Sequence, residues 1–580
     1  LGDSKILNFL ERNMTYRVAI AISGAVSLGS YEAGTLYEII KALKEHNENP
    51  ANPKIEIDVL TGASAGGMTA AMIAQKLLYD GDALSGENTN VGYEAWVKSV
   101  DINGLLTPLP GDNAKNSLLS NGFVKTIADK LINSRYVKSP APNSPPPQAE
   151  TPLVQTPHIA SATSIRLGLA MSNLNGVDYK VDTFAYLTEI LGQGTFTQTR
   201  HQDRYTATLD NTTDNQAIWN EISSAARGCG AFPVAFSPVS LSRSWLHGDY
   251  SGRGAVKFED STFSFMDGGA FNNYPLGMAV SLAEQNDTNY TDYENRFYFY
   301  ISPNPRESAA NPEFDATTAS FAQSAKQMLN SVYLQSGFQE WLVQEQDNEK
   351  VLRLDHQADT LREKLYSATS EEVFAEQAII DSMIAVVYGG NTVEYAADIA
   401  RLATQYRVDV EEKPLPPSHF KLWINTIAVL EHAAGLGPTN LKTIYTITAK
   451  KDELSGELLG AFLGFFDERF RQYDYERGRL NAMLTINGIL DKQRDEGVIQ
   501  KQLPLNIEKR DHHSIQQFLD SSHLNHASMA DVKYENRELA YKRVKARFFA
   551  FTKDAGIASI ARFFAWNCIV RKTVKKVLVL

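Results

Sequence analysis

Two short apolar runs, each closed by a small-residue turn and followed by a helix-forming stretch, constrain this chain more than any other feature. Val18-Ala19-Ile20-Ala21-Ile22 is continuously apolar and stops at Ser23-Gly24, as expected of a strand buried on both faces of a parallel sheet. Tyr31 to Leu43 then carries Leu36, Ile39, Ile40 and Leu43 at helical spacing. A second strand is expected over Ile55 to Thr61, ending at Gly62, and a second, buried helix over Ala65 to Leu78. Strand, turn, helix, repeated, specifies a layered α/β sheet. Strand-like runs resume at Ile165 to Met171 and at Phe297 to Ile301, and the latter, stopped by Ser302-Pro303, is expected to close the sheet.

Beyond about Pro312 the pattern turns helical. Leu354, Leu361 and Leu365 share one helical face. Val373, Ile380, Ile384 and Val387 share another, between a Thr369-x-x-Glu372 capping box and a Gly389-Gly390 stop. The expectation is therefore an α/β domain over 1–312, with a Pro-rich loop at 139–157 inside it, and a mainly α-helical domain over 313–580. Seven prolines among the nineteen residues of that loop exclude a helix or a central strand. No fixed-period repeat emerges, which excludes a solenoid.

At 580 residues the chain is long enough for two cores, and 43% hydrophobic against 21% charged residues is a globular balance. No run of eighteen apolar residues occurs, and the first residues lack a basic start and an apolar stretch, so neither a membrane span nor a secretory signal is expected. A removed leader stays open, since the chain begins with Leu1. Cys229 and Cys568 are expected as two reduced thiols, in a cytoplasmic setting. A net charge of −12 disfavours nucleic acid as a partner. Within 542–580, however, ten Lys or Arg face one acid, a local +9 that leaves −21 elsewhere, and the stretch carries Phe548, Phe549, Phe551, Phe563, Phe564 and Trp566. One reading makes this tail a peripheral membrane contact; the other packs it as a closing helix.

Three stretches carry candidate chemistry. Gly62-Ala63-Ser64-Ala65-Gly66 is a G-x-S-x-G between strand and helix, where small residues permit the sharp turn that exposes a serine hydroxyl at a helix N-terminus. Ser23-Gly24-Ala25-Val26-Ser27-Leu28-Gly29 ends the first strand, where backbone N–H groups can converge on an anion. Val26 stands where a dinucleotide-binding turn needs its middle glycine, which argues against a nucleotide cofactor. Met266-Asp267-Gly268-Gly269-Ala270 ends a strand-like Phe263-Ser264-Phe265 and can turn a carboxylate into a pocket.

In this order, the three resemble the motifs of the patatin-like phospholipase family: a glycine-rich loop on the first strand, G-x-S-x-G soon after, and a DG[AG] turn far downstream. The small-residue stretch from Ala225 to Pro238 is similar to a family segment just before the aspartate, and the resemblance covers roughly residues 15 to 305. A second-half stretch, Gly464-Phe465-Phe466-Asp467 through Arg471, Asp474, Gly478 and Arg479, resembles an element of some bacterial members. The resemblance implies a patatin-like layered domain with a central, mostly parallel sheet, and a lipid acyl hydrolase of phospholipase A or lysophospholipase type. It implies Ser64 as nucleophile and Asp267 as its base, without histidine. It also implies an oxyanion hole at Gly24, Ala25 and Val26, joined by Ala65. Gly29, Gly62, Gly66, Gly268 and Gly269 complete the motifs, and no metal or other cofactor is implied.

An ordinary Asp, with a pKa near 4, is a poor base for a hydroxyl, so either burial has to raise its basicity or a short hydrogen bond has to do so in the transition state. The loop also departs from the family pattern: Ala25, Val26 and Leu28 stand where further glycines and a basic residue are usual, and a β-branched valine resists positive φ. Two alternatives compete. A histidine-dependent α/β-hydrolase shares G-x-S-x-G, but its candidate histidines, among them His356, His419 and His432, lie in the helical half. An inactive scaffold acting through lipid or protein binding would be expected to lose Ser64 or Asp267, and both are present.

Overall fold

The computed structural model describes residues 14–580 except 114–115, 134–155, 183–194, 211–215, 234, 274, 288–291, 293, 304–313, 316, 320–323, 325–326, 329–330, 332–349, 351–352, 355, 407–413, 434–441, 451, 457–460, 494–500, 526 and 555. Most of the Pro-rich loop, the 312/313 boundary and the side chain of Cys568 lie outside the described residues.

The first four elements are β1 (Thr15–Ile22), α1 (Gly29–Asn47), β2 (Lys54–Gly62) and α2 (Ser64–Tyr79). After them come α3 (Asn121–Leu131), β3 (Ser161–Asp182), β4 (Thr195–Asp210), α4 (Gln216–Cys229), β5 (Val239–Arg243), β6 (Ser261–Asp267), α5 (Leu276–Glu284) and β7 (Arg296–Ser302). Three helices, α6 (Ser370–Val387), α7 (Thr392–Gln405) and α8 (Pro417–Ala433), precede β8 (Thr443–Thr448). The chain ends through α9 (Glu468–Lys492), α10 (His513–Ser522), α11 (Tyr534–Asp554), α12 (Ser559–Ala565) and α13 (Arg571–Val577).

The eight strands form one sheet in the order β5-β6-β3-β2-β1-β7-β8, with β4 also paired to β3. The pairs from β3 through β2, β1 and β7 to β8 are parallel, and those of β4, β5 and β6 are antiparallel. The continuous apolar run of β1 follows from its central place. Val18, Ile20 and Ile22 face the core shared with α1 and α2, while Ala19 and Ala21 face α5 on the other side. Each fully buried Val or Ile there contributes about 1.5–3 kcal/mol. The run at Phe297 to Ile301 does not close the sheet: it is the core of β7, inside the sheet between β1 and β8. Arg296 at its start binds Asp58 of β2 (Nη2 to Oδ2, 2.8 Å) and Asp287 (Nε to Oδ2, 3.0 Å), bracing two strands across β1.

The region after residue 312 is mainly helical, and it joins the sheet as well as adding its own core. Thr443–Thr448 has the alternating β-branched composition of a strand and adds to the edge beside β7. α9 lies against α1 with two glycines at the crossing: a Cβ on Gly34 would meet the Tyr475 carbonyl at 2.0 Å, and one on Gly478 would meet that of Tyr31 at 2.0 Å. The conspicuous polar residues of this stretch are anchors. Arg471 donates to the carbonyls of Val97 and Gly464 (both 2.9 Å), Arg479 binds Glu38 (2.9 Å), and Asp474 accepts from the N–H groups of Ser455 and Gly456. Helices α6, α7 and α8 enclose a separate core around Trp423, Leu402 and Leu365, and the Thr369/Glu372 capping box opens α6. No helix among the described residues is long and apolar enough to cross a membrane.

Candidate active site

The β2–α2 turn is forced by what surrounds it. A Cβ on Gly62 would lie 2.3 Å from the Gly66 carbonyl, and one on Gly66 would lie 2.3 Å from the Ser23 carbonyl, so neither position has room for a side chain. Between them Ser64 takes φ 50, a left-handed conformation that costs a non-glycine residue about 1–3 kcal/mol. The strain holds the hydroxyl at the start of α2. Gly24 is pressed against the same spot, since a Cβ there would sit 3.1 Å from the Ser64 Cβ and 2.1 Å from Asn273 Oδ1.

Asp267, at the end of β6, reaches the turn from across the sheet. Ser64 Oγ donates to Asp267 Oδ2 at 2.6 Å, and Gly269 N–H donates to Asp267 Oδ1 at 2.7 Å. The Asp267 backbone is clamped on both sides: its N–H donates to the Ala231 carbonyl, and its carbonyl accepts from Ser172 Oγ at 2.7 Å. Gly268 passes so close to β3 that a Cβ would meet the Ala170 carbonyl at 2.1 Å. The Asp267 carboxyl is fully buried, and burial pushes its pKa up to about 6, against the opposing pull of the Ser64 and Gly269 hydrogen bonds. The beginning of the small-residue stretch is the end of α4, where Cys229 packs beneath the turn with its thiol pushed well up by burial.

The loop after β1 lies beside Ser64 in an arrangement that the sequence left open. Val26 does take positive φ, at 53. The Gly24 N–H is committed to the Asn273 carbonyl at 3.1 Å, so Gly24 acts here through its missing side chain. The N–H groups of Ala25 and Val26 have no acceptor among the described residues. Gly29 leaves room for Trp96, whose ring a Cβ would approach to 2.6 Å.

An apolar cavity of about 70 Å³ opens at Ser64, lined by Val26, Met68, Trp96, Leu105, Phe232 and Phe462 among others. Sequence reasoning missed most of this wall, which draws on six separate stretches. Phe462 and Phe465 come from the C-terminal region, held by Arg471, which donates to the Gly464 carbonyl beside them. The spacing of that arginine after a Gly-Phe-Phe turn was the available signal. Among the described residues no histidine is hydrogen-bonded to the pair. His419 binds the Ala368 carbonyl and His432 lies tilted against the Tyr388 ring, both within the helical unit, and His356 is exposed. Among the described residues no three His, Cys, Asp or Glu side chains are grouped as metal ligands.

A buried, basicity-raised aspartate holding a strained serine at a strand–helix turn defines a Ser–Asp pair on a layered α/β sheet. Residues 20–280 match the family model described as Patatin-like phospholipase. A curated relative, the uncharacterized protein y4iI of Sinorhizobium fredii (strain NBRC 101917 / NGR234), is 26% identical over 272 residues, 39% of this chain and 36% of the relative. The chain thus spans little more than a third of that relative's length.

Proposed function

We propose that the protein is a lipid acyl hydrolase of phospholipase A or lysophospholipase type, cleaving fatty-acyl esters through an acyl-enzyme on Ser64. The observation that carries this reading is the 2.6 Å hydrogen bond from Ser64 Oγ to a fully buried Asp267, next to an apolar cavity. Asp267 accepts the Ser64 proton as the oxygen attacks the ester carbonyl, and it returns that proton to the leaving alcohol. The Ala25 and Val26 N–H groups, with Ala65 at the start of α2, hold the oxyanion. Water, activated by Asp267, then releases the fatty acid. The cavity holds about two water-sized groups, so a long acyl chain needs more room than its wall, Met68 and Phe462 included, leaves here.

The tail supplies the approach to substrate. Tyr541, Val544, Val574 and Leu578 share a hydrophobic cluster with Leu105 and Phe465 of the cavity wall, so one side of this unit packs beside the site. Its other side is open: Ile560, Phe563 and Phe564 are 74%, 60% and 59% exposed. Lys553, Arg571, Lys572 and Lys576 are exposed and form no ion pair among the described residues. Exposed aromatics with unpaired cations suit an anionic lipid surface. The test is hydrolysis of a mixed lipid extract followed by mass spectrometry, with Ser64→Ala protein as control; lipids consumed equally by both proteins would overturn the reading.

A further inference from the structure

A second pocket, of about 290 Å³, adjoins the cavity at Ser64, and the two share Val124, Gly230 and Phe236 in their walls. Its character is different. Arg227, Asn121, Ser237 and Ser240 line it, and no acidic side chain does. Arg227, from the last turn of α4, is only partly exposed, and its one hydrogen bond is from Nη2 to Ser224 Oγ at 3.1 Å. Its Nε is buried without a partner, and no carboxylate lies within ion-pair distance of it among the described residues. The acid that bears on it electrostatically, Asp129, is itself engaged by Lys125 and Asn133. A desolvated guanidinium left without a counter-ion is costly unless a ligand supplies the charge. Its planar fork matches two oxygens of a tetrahedral anion, and the hydroxyls of Ser237 and Ser240 can serve the others.

We infer that this pocket binds a phosphate group, that of the substrate's headgroup, while the acyl ester lies at Ser64. The inference rests on the hydrolase reading above, and it selects phosphate-bearing lipids over neutral glycerides. Burial lowers the pKa of Arg227 but leaves the guanidinium charged, so the recognition is present throughout the pH range of activity.

The experiment compares lysophosphatidylcholine with a monoacylglycerol of the same acyl chain, both in neutral detergent micelles, for wild type, Arg227→Gln and Arg227→Lys. The ratio of kcat/KM for the two substrates is expected to fall at least tenfold in Arg227→Gln and to recover in part in Arg227→Lys. Glycerophosphocholine should inhibit the wild type more strongly than glycerol, a comparison that needs no variant and so survives a folding failure. An unchanged ratio together with equal inhibition by glycerophosphocholine and glycerol overturns the inference. Arg227-dependent inhibition by inorganic phosphate with an unchanged ratio assigns the pocket to free phosphate and overturns the headgroup assignment. If the wild type cleaves neither ester and a fluorophosphonate leaves Ser64 unlabelled, the hydrolase reading fails. Calorimetric titration of wild type and Arg227→Gln with glycerophosphocholine then decides the pocket alone, and equal heats for the two proteins refute it.

Discussion

The turn around Ser64 lines the apolar cavity and the tail from Lys542 to Leu580 packs behind the wall of that cavity, and the two are built on opposite principles. At the turn there is no spare space: three glycines are held against backbone or side-chain atoms, and a strained serine is fixed by a buried acid. In the tail α11 and the end of the chain pack on one side, while α12 and the outer faces leave aromatic rings and cations in water. The first arrangement suits bond making, where small displacements are costly. The second suits adsorption to a fluid surface, where many weak contacts add up.

The sharpest way to break this contrast is at the two chemical groups. Ser64→Ala is expected to lower ester hydrolysis on the order of 10⁴-fold or more, and Asp267→Asn almost as much, since an amide cannot take the proton. Burst kinetics with a chromogenic ester measure both losses. Residual turnover above a hundredth of wild type in either variant would remove that residue from the reaction.

Next in size is the pH dependence of Asp267. Its folded pKa, about 6, lies above the ordinary value of 3.8. The ionised form is therefore disfavoured in the folded protein, and stability is fully present below about pH 4 and lost as pH rises through 6. The cost at pH 8 is about 3 kcal/mol, from ~1.4 kcal/mol per unit. Asp267→Asn, although inactive, is thus expected to melt higher than wild type at pH 8, with the gain gone near pH 4. Wild-type kcat/KM should rise as pH passes through about 6. Equal melting curves at pH 8 would show that burial imposes no such cost. Gly66→Ala, which drives a Cβ into the Ser23 carbonyl, should lower stability by roughly 2–3 kcal/mol, as read by urea unfolding.

These expectations also explain what the sequence made legible. Strand, turn and helix around Ser64 are local: Gly62, Ser64 and Gly66 lie within five residues, and the apolar runs flanking them declare a sheet buried on both faces. Asp267 was visible because two glycines follow it. The cavity wall was not, because Trp96, Leu105, Phe232 and Phe462 are brought together only by tertiary packing and read individually as core residues. β8 was hidden for a related reason: a six-residue run of threonine, isoleucine and one tyrosine inside a helical region carries little signal until β7 offers an edge. The Val26 backbone ran against its own propensity, as strained positions beside reactive groups do.

The smallest effect, and the one that sharpens the contrast most, belongs to the tail. If adsorption is a sum of weak terms, neutralising two exposed cations should weaken binding without touching chemistry. Arg571→Gln with Lys572→Gln removes about 1 kcal/mol each near an anionic surface, so partitioning onto phosphatidylglycerol vesicles should fall roughly thirtyfold. The wild-type interaction should weaken as salt is raised, because exposed charges are screened within about 10 Å at 0.1 M. Both residues are exposed and neither belongs to the cluster that holds Val574 and Leu578, so hydrolysis of a short soluble ester should stay within twofold of wild type. Co-sedimentation with vesicles and turnover of the soluble ester, measured on the same preparations, separate the two properties. Unchanged vesicle binding in the double variant, or wild-type binding that is insensitive to salt, would show that the tail's charges do not face lipid and would leave packing beside the cavity as its role.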